Sequence, residues 1–156
     1  MDPAQNPSRS LSVSMQDRQN PPWLPGPFSV AVLDSDAYLG DALCAMLRDS
    51  GVAPVVFYEA AAFLEAHRNG AFDAYVLDAT ADWPAPGDLE RVVAAIRARD
   101  GGAVPVFILG RHAAPERAEG LAEVLMRHRV RYVLRPARVS YIATQVGEEL
   151  ARRAGG

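Results

Sequence analysis

The 156-residue chain predicts a doubly wound α/β domain in which one five-stranded parallel sheet carries five helices on its two faces. Three observations lead there. Between residues 28 and 150, short apolar runs alternate strictly with stretches of helical spacing, which implies right-handed crossovers between parallel strands. The run at 104–109 is apolar almost throughout, the pattern of a strand covered on both faces. No internal repeat points to a competing architecture.

Each element has its own signal. Residues 1–27 are rich in Pro, Ser, Gln, Asn and Asp and lack periodicity, so they predict a disordered leader, with Trp23 and Leu24 on a mobile arm. The first strand covers 28–33. Leu39, Ala42, Leu43, Met46 and Leu47 then trace the apolar stripe of a helix, with Asp36 placed to cap its start and Gly51 to end it. Val55, Val56 and Phe57 form a short second strand, and residues 59–68 a second helix closed by Asn69 and Gly70. The third strand, 74–77, runs into Asp78. A loop containing Trp83, Pro84, Pro86 and Gly87 leads to a third helix capped by Asp88, whose buried face is Leu89, Val92, Val93 and Ile96. The run at 104–109 supplies a fourth strand, expected at the centre of the sheet. Pro115 and Glu116 suit a helix start, with Leu121, Val124 and Leu125 on its apolar face. Residues 131–134 make the fifth strand, and Val139, Ile142, Ala143, Val146 and Leu150 mark the last helix. The domain is thus expected over 28–153, with a tail at 154–156.

Composition narrows the function. A hydrophobic content of 49% supports one substantial core, and a formal net charge of −3 gives no overall electrostatic case for binding nucleic acid or an anionic membrane. The single cysteine, Cys44, leaves no internal disulfide and no site built on several thiolates, which suits a reducing cytosol. No apolar run approaches the roughly 18 residues that span a bilayer, so a soluble, cytoplasmic protein is expected. All the basic side chains are arginines; without lysine, no side-chain amine is available for Schiff-base chemistry.

The chemistry concentrates at two strand ends. The first and third strands each end on an aspartate, Asp34 and Asp78, and in open α/β sheets the carboxyl ends of the strands meet at the crevice where strand order reverses. Two carboxylates in apolar surroundings repel each other and need a cation, a shared proton or a basic neighbour. A divalent metal is the natural candidate. His67, His112 and His128 show no ligand spacing and are expected at the surface.

With these residues in this order, the stretch from 28 to 150 resembles the receiver domain of bacterial response regulators, which has a flavodoxin-like fold. The resemblance implies that Asp78, ending Tyr75-Val76-Leu77-Asp78, accepts a phosphoryl group from a histidine kinase or other phosphodonor. It also implies Mg²⁺ held by Asp34, Asp78 and the backbone carbonyl of Thr80, with Asp36 joining only if its turn shifts; otherwise Asp36 caps the first helix. Several positions depart from the family pattern. Ser35 stands where a second acid usually binds the metal, Gly110 where a Ser or Thr grips a phosphoryl oxygen, and Arg135 where a lysine precedes Pro136. Tyr132 matches the aromatic switch position, and with Gly110 leaving space beside it the ring is expected to point inward. The peptide bond before Pro136 is commonly cis in the family. Asp82 occupies a position where the family has proline, and is expected as a solvated loop residue.

Seven arginines between 111 and 138, set against Glu116, Glu119 and Glu123, fall on the region where receivers form homodimers through the fourth helix, fifth strand and fifth helix. The resemblance therefore implies a phosphorelay receiver that changes its dimer or partner surface. The alternative is a degenerate receiver acting as a phosphorylation-independent interaction module, as the regulatory part of a transcription factor or alone, with no direct contact to nucleic acid. Asp34-Ser35-Asp36 also superficially resembles the nucleophile motif of haloacid dehalogenase-like phosphatases, but the later acidic pair those enzymes need is not evident, so no enzyme is expected.

Overall fold

The structure, a computed structural model, describes residues 27–100, 102–115 and 121–155. The expected leader lies outside the described residues except for Pro27. Among the described residues, the elements follow one another as β1 (Ser29–Leu33), α1 (Ala37–Asp49), β2 (Ala53–Phe57), α2 (Ala60–Asn69), β3 (Ala74–Asp78), α3 (Asp88–Asp100), β4 (Val106–Gly110), α4 (Ala122–Arg127), β5 (Arg131–Leu134) and α5 (Val139–Gly155). All strand pairings are parallel and the order is β2-β1-β3-β4-β5, so β3 holds the middle position. The fourth strand is interior and fully buried, as its apolar run requires, but lies one place off the centre assigned to it. Among the described residues, no helix is long and apolar enough to cross a membrane.

The period of two along each strand divides the core into two layers. Val30, Val32, Val76, Phe107 and Leu109 face α1 and α5, where they meet Leu43, Cys44, Leu47, Ile142, Val146 and Leu150. Ala31, Leu33, Tyr75, Leu77 and Ile108 face the opposite way, onto Phe63 of α2, Val93 and Ile96 of α3, and Val124 of α4. Burial in this apolar layer raises the Cys44 thiol to about 11, which keeps it protonated and inert.

The helix ends follow local chemistry. Asp36 caps α1 by accepting the Leu39 N–H at 3.1 Å, and Gly51 follows the helix with a φ of 84°, a conformation glycine adopts without steric cost. The second strand begins two residues before the expected Val55 because edge strand β2 accommodates Pro54, opposite Val30. Of the helix start expected at Pro115 and Glu116, Pro115 is helical and buried, and Glu116 lies outside the described residues. The last helix runs through Gly155, so residues 154 and 155 continue it and do not form the expected tail.

Candidate functional site

The β1/β3 neighbourhood is the point where strand order reverses, and it brings Asp34 and Asp78 to one end of the sheet. Asp34 is fully buried and Asp78 is 1% exposed. Gly40 lets α1 approach closely here: a Cβ at that position would come within 3.2 Å of the Asp34 Cβ. Arg135 follows β5, donates its backbone N–H to the Gly110 carbonyl at 2.7 Å, and extends its guanidinium back to Asp34. Its peptide bond to Pro136 is cis.

Arg135 meets Asp34 fork to fork. Nη1 donates to Oδ1 at 3.1 Å and Nη2 donates to Oδ2, while the Asp36 N–H supplies a third donor to Oδ1 at 3.0 Å. With the Arg135 side chain 6% exposed, this is a buried ion pair. Burial works against the guanidinium charge, but the hydrogen bond and charge of Asp34, with help from Asp78 and Asp36, outweigh it and raise the Arg135 pKa.

Asp78 is held differently. Oδ2 accepts the Ser35 N–H at 3.1 Å and the Ser35 hydroxyl at 2.7 Å; Oδ1 accepts the Thr80 N–H at 2.9 Å and the Thr80 hydroxyl at 2.7 Å. A carboxylate offers about four lone-pair sites, and all are occupied. Burial acts to raise the Asp78 pKa, yet the bonds from Ser35 and Thr80 together outweigh it and hold the carboxyl below its ordinary range. Asp78 is therefore a stable anion neutralised by hydrogen bonds, whereas Asp34 is neutralised by a cation.

The donor set does not fit the Mg²⁺ that the family implies. A hard divalent ion binds through carboxylate oxygens in near-octahedral geometry, but the oxygens of Asp34 and Asp78 already face N–H and O–H protons. The expected carboxylate ligands are engaged by other groups: Arg135 and the Asp36 N–H hold Asp34, Ser35 and Thr80 hold Asp78, and Asp36 Oδ1 caps α1. Among the described residues, no group of three or more His, Cys, Asp and Glu side chains could hold a metal.

The remaining positions complete the picture. The Tyr132 ring lies over Gly110, so close that a Cβ added there would sit 2.1 Å from the phenol oxygen and 2.5 Å from two ring carbons. The Tyr132 hydroxyl accepts the His112 N–H at 3.2 Å and donates to the His112 carbonyl at 2.9 Å, which fastens the ring to the loop after β4. Asp82 is not a merely solvated loop residue: its Oδ1 accepts the Ala60 N–H at 2.8 Å and so serves the start of α2, where Glu59 makes no side-chain cap. Trp83 Nε1 donates to the Asp78 carbonyl at 3.1 Å.

Two further residues were misplaced or missed by reading the sequence. His67 is 6% exposed, not at the surface; it occupies the stripe of Ala60 and Phe63 at helical spacing, and that spacing was the available signal. Ser35 stood out as an absent metal ligand, while its role as a double donor to Asp78 had no sequence signature.

No family model matches the chain, and no curated protein matches it. Solved structures do. The receiver domain of the Francisella response regulator 1452 is 19% identical, with a TM-score of 0.62 over 80% of this chain and 98% of that one. A CheY-like receiver domain protein from Methanospirillum hungatei JF-1 is 14% identical, with a TM-score of 0.65 over 83% of this chain and 98% of that one. DrrB of Thermotoga maritima, an OmpR/PhoB homolog, is 21% identical, with a TM-score of 0.62 over 81% of this chain and 54% of that one. The chain has the fold of response regulator receiver domains.

Proposed function

We propose that this receiver-fold chain is a pseudo-receiver, a signalling module that works through protein contact and takes no phosphoryl group. One observation carries the reading: the cation and the donors that would serve an incoming phosphate are already spent inside the site. Arg135 is committed to Asp34 in a bidentate buried pair, and all the lone pairs of Asp78 are filled by Ser35 and Thr80. Nucleophilic attack by a carboxylate requires a free lone pair and a cation to neutralise the phosphoryl oxygens. A Gly110 covered by Tyr132 has neither a hydroxyl to offer nor room for one.

The contact surface in this reading is the face of α4, β5 and α5. Met126, Leu134 and Tyr141 are exposed there by 85%, 46% and 54%, beside an ion-pair network in which Glu149 joins Arg131 at 2.8 Å and Arg152 at 2.5 Å. Exposed apolar side chains rimmed by charge suit a homodimer. This makes the chain a cytoplasmic regulatory module with no turnover of its own.

The competing reading is phosphoryl transfer from a histidine kinase to Asp78, with Mg²⁺ as cofactor. Incubation with acetyl phosphate and Mg²⁺, followed by intact-mass measurement, separates the two. The pseudo-receiver reading expects no phosphoryl adduct on the wild-type protein. An adduct on wild type that disappears in Asp78→Asn would overturn it.

A further inference from the structure

Beneath α2 lies a cage of aromatic rings around Phe63 that the acidic site does not use, and a titratable side chain packs against two of those rings. His67, in the last turn of α2, stacks on Phe63 with ring centroids 5.7 Å apart and planes 19° apart, and meets the edge of Tyr75 at 5.8 Å. Its Nδ1 is buried and has no hydrogen-bond partner among the described residues. The neutral imidazole is held by packing alone. Burial and the like charge of Arg99 on α3 lower its pKa from the ordinary 6.5. Among the described residues, the Tyr75 phenol of β3 also meets the ring, and its oxygen accepts the Phe72 N–H at 3.1 Å.

The cage is linked to Asp78 through covalently distinct contacts. Phe63 meets Trp83 edge to face at 6.2 Å, and Trp83 Nε1 bonds the Asp78 carbonyl. At the other end of α2, the Ala60 N–H is held by Asp82. The helix and the loop between β3 and α3 are therefore fastened together at two points, one beneath Phe63 and one at Ala60, and displacement of α2 pulls on both.

We propose that His67 is an acid-operated latch: protonation drives its ring from the aromatic cage and releases α2 together with the loop that carries Asp82 and Trp83. A charged imidazolium has two N–H donors to satisfy, and the cage offers Nδ1 no acceptor while Arg99 adds a repelling charge. Expulsion costs the Phe63 stack and loosens Trp83, so the event reaches the backbone of Asp78 without any ligand. The latch does not depend on whether Asp78 takes a phosphoryl group.

The test uses the full chain with Trp23→Phe, which leaves Trp83 as the single tryptophan. Its emission is followed from about pH 8 to about pH 5, the range in which imidazoles titrate, with the His67 ring protons followed by NMR over the same range. The expected result is a change in Trp83 emission that coincides with the His67 titration, has a midpoint below 6.5, and is abolished by His67→Phe but kept by His112→Gln and His128→Gln. Persistence of the transition in His67→Phe would overturn the proposal. If that variant does not fold, the wild-type NMR titration decides alone: a His67 midpoint at or above 6.5, or one during which Trp83 emission stays flat, refutes the latch.

Discussion

Replacing Arg135 by methionine removes a cation of similar length from beside a fully buried carboxylate, and the structure sets the size of the effect. Asp34 accepts three hydrogen bonds, two of them from the guanidinium; the variant leaves only the Asp36 N–H at 3.0 Å. With Asp34 at 0% exposure and the Arg135 side chain at 6%, solvent cannot take over the lost role. Breaking such a pair from one side costs about 3–5 kcal/mol, because the remaining charge is stranded in a poor solvent. At a urea m-value of about 2 kcal/mol/M, the unfolding midpoint falls by roughly 1.5–2.5 M. The companion double variant, Asp34→Asn with Arg135→Met, buries no charge at either position and keeps an acceptor for the Asp36 N–H. It is expected to recover at least half the loss, about 2 kcal/mol relative to Arg135→Met, and the coupling between these touching residues exceeds that recovery by the cost of Asp34→Asn alone. Equilibrium urea unfolding of the four proteins in the cycle measures both quantities. A loss below about 1 kcal/mol for Arg135→Met, the value of an exposed pair, refutes the reasoning. So does a double variant as unstable as the single one.

Four other expectations follow from the same geometry. Ser35→Ala and Thr80→Ala each remove one hydroxyl donor from the buried Asp78 carboxylate and are expected to destabilise by about 1.5–3 kcal/mol, read from urea midpoints. Because the folded Asp78 pKa lies below its unfolded value, the stability it contributes is complete well above pH 4 and is lost as pH falls through that region; Asp78→Asn should therefore flatten the acid limb of a stability-against-pH curve. Gly110→Ala forces the Tyr132 ring to move and is expected to cost about 1–3 kcal/mol, with a changed near-ultraviolet circular dichroism spectrum. The cost should vanish in a Tyr132→Ala background, where no ring is left to clash. Asp82→Ala removes the acceptor for the Ala60 N–H and should lower stability by about 0.5–2 kcal/mol, the range of a lost helix cap.

The fold was legible because the local signals agree with one another. Apolar runs at β1, β3 and β4 correspond to strands buried on both faces, and α1 is bracketed by the Asp36 side-chain cap and by Gly51, which takes a positive φ without a Cβ clash. Pro54 obscured the start of β2, since a proline is tolerated on an edge strand by a topology that its neighbours do not reveal. The site was legible in its membership but not in its wiring. Asp34, Asp78, Ser35, Thr80 and Arg135 converge as their positions at strand ends dictate, yet which acid takes the guanidinium depends on the reach of one side chain across the ends of several strands. Asp82 shows the same limit: its partner at Ala60 lies 22 residues away in sequence, beyond any local pattern. His67 was recoverable, because its helical spacing from Phe63 placed it on the apolar stripe despite its polar ring.

A site complete without an added cation or phosphate can be checked by an amide NMR titration of the wild-type protein with Mg²⁺ and then beryllofluoride. The signals of Ser35, Asp36, Ala79 and Thr80 and the guanidinium protons of Arg135 should stay in place through millimolar concentrations of both. Saturable shifts at Ser35 and Thr80, with Arg135 leaving Asp34, would contradict it and return Asp78 to the role of phosphoryl acceptor.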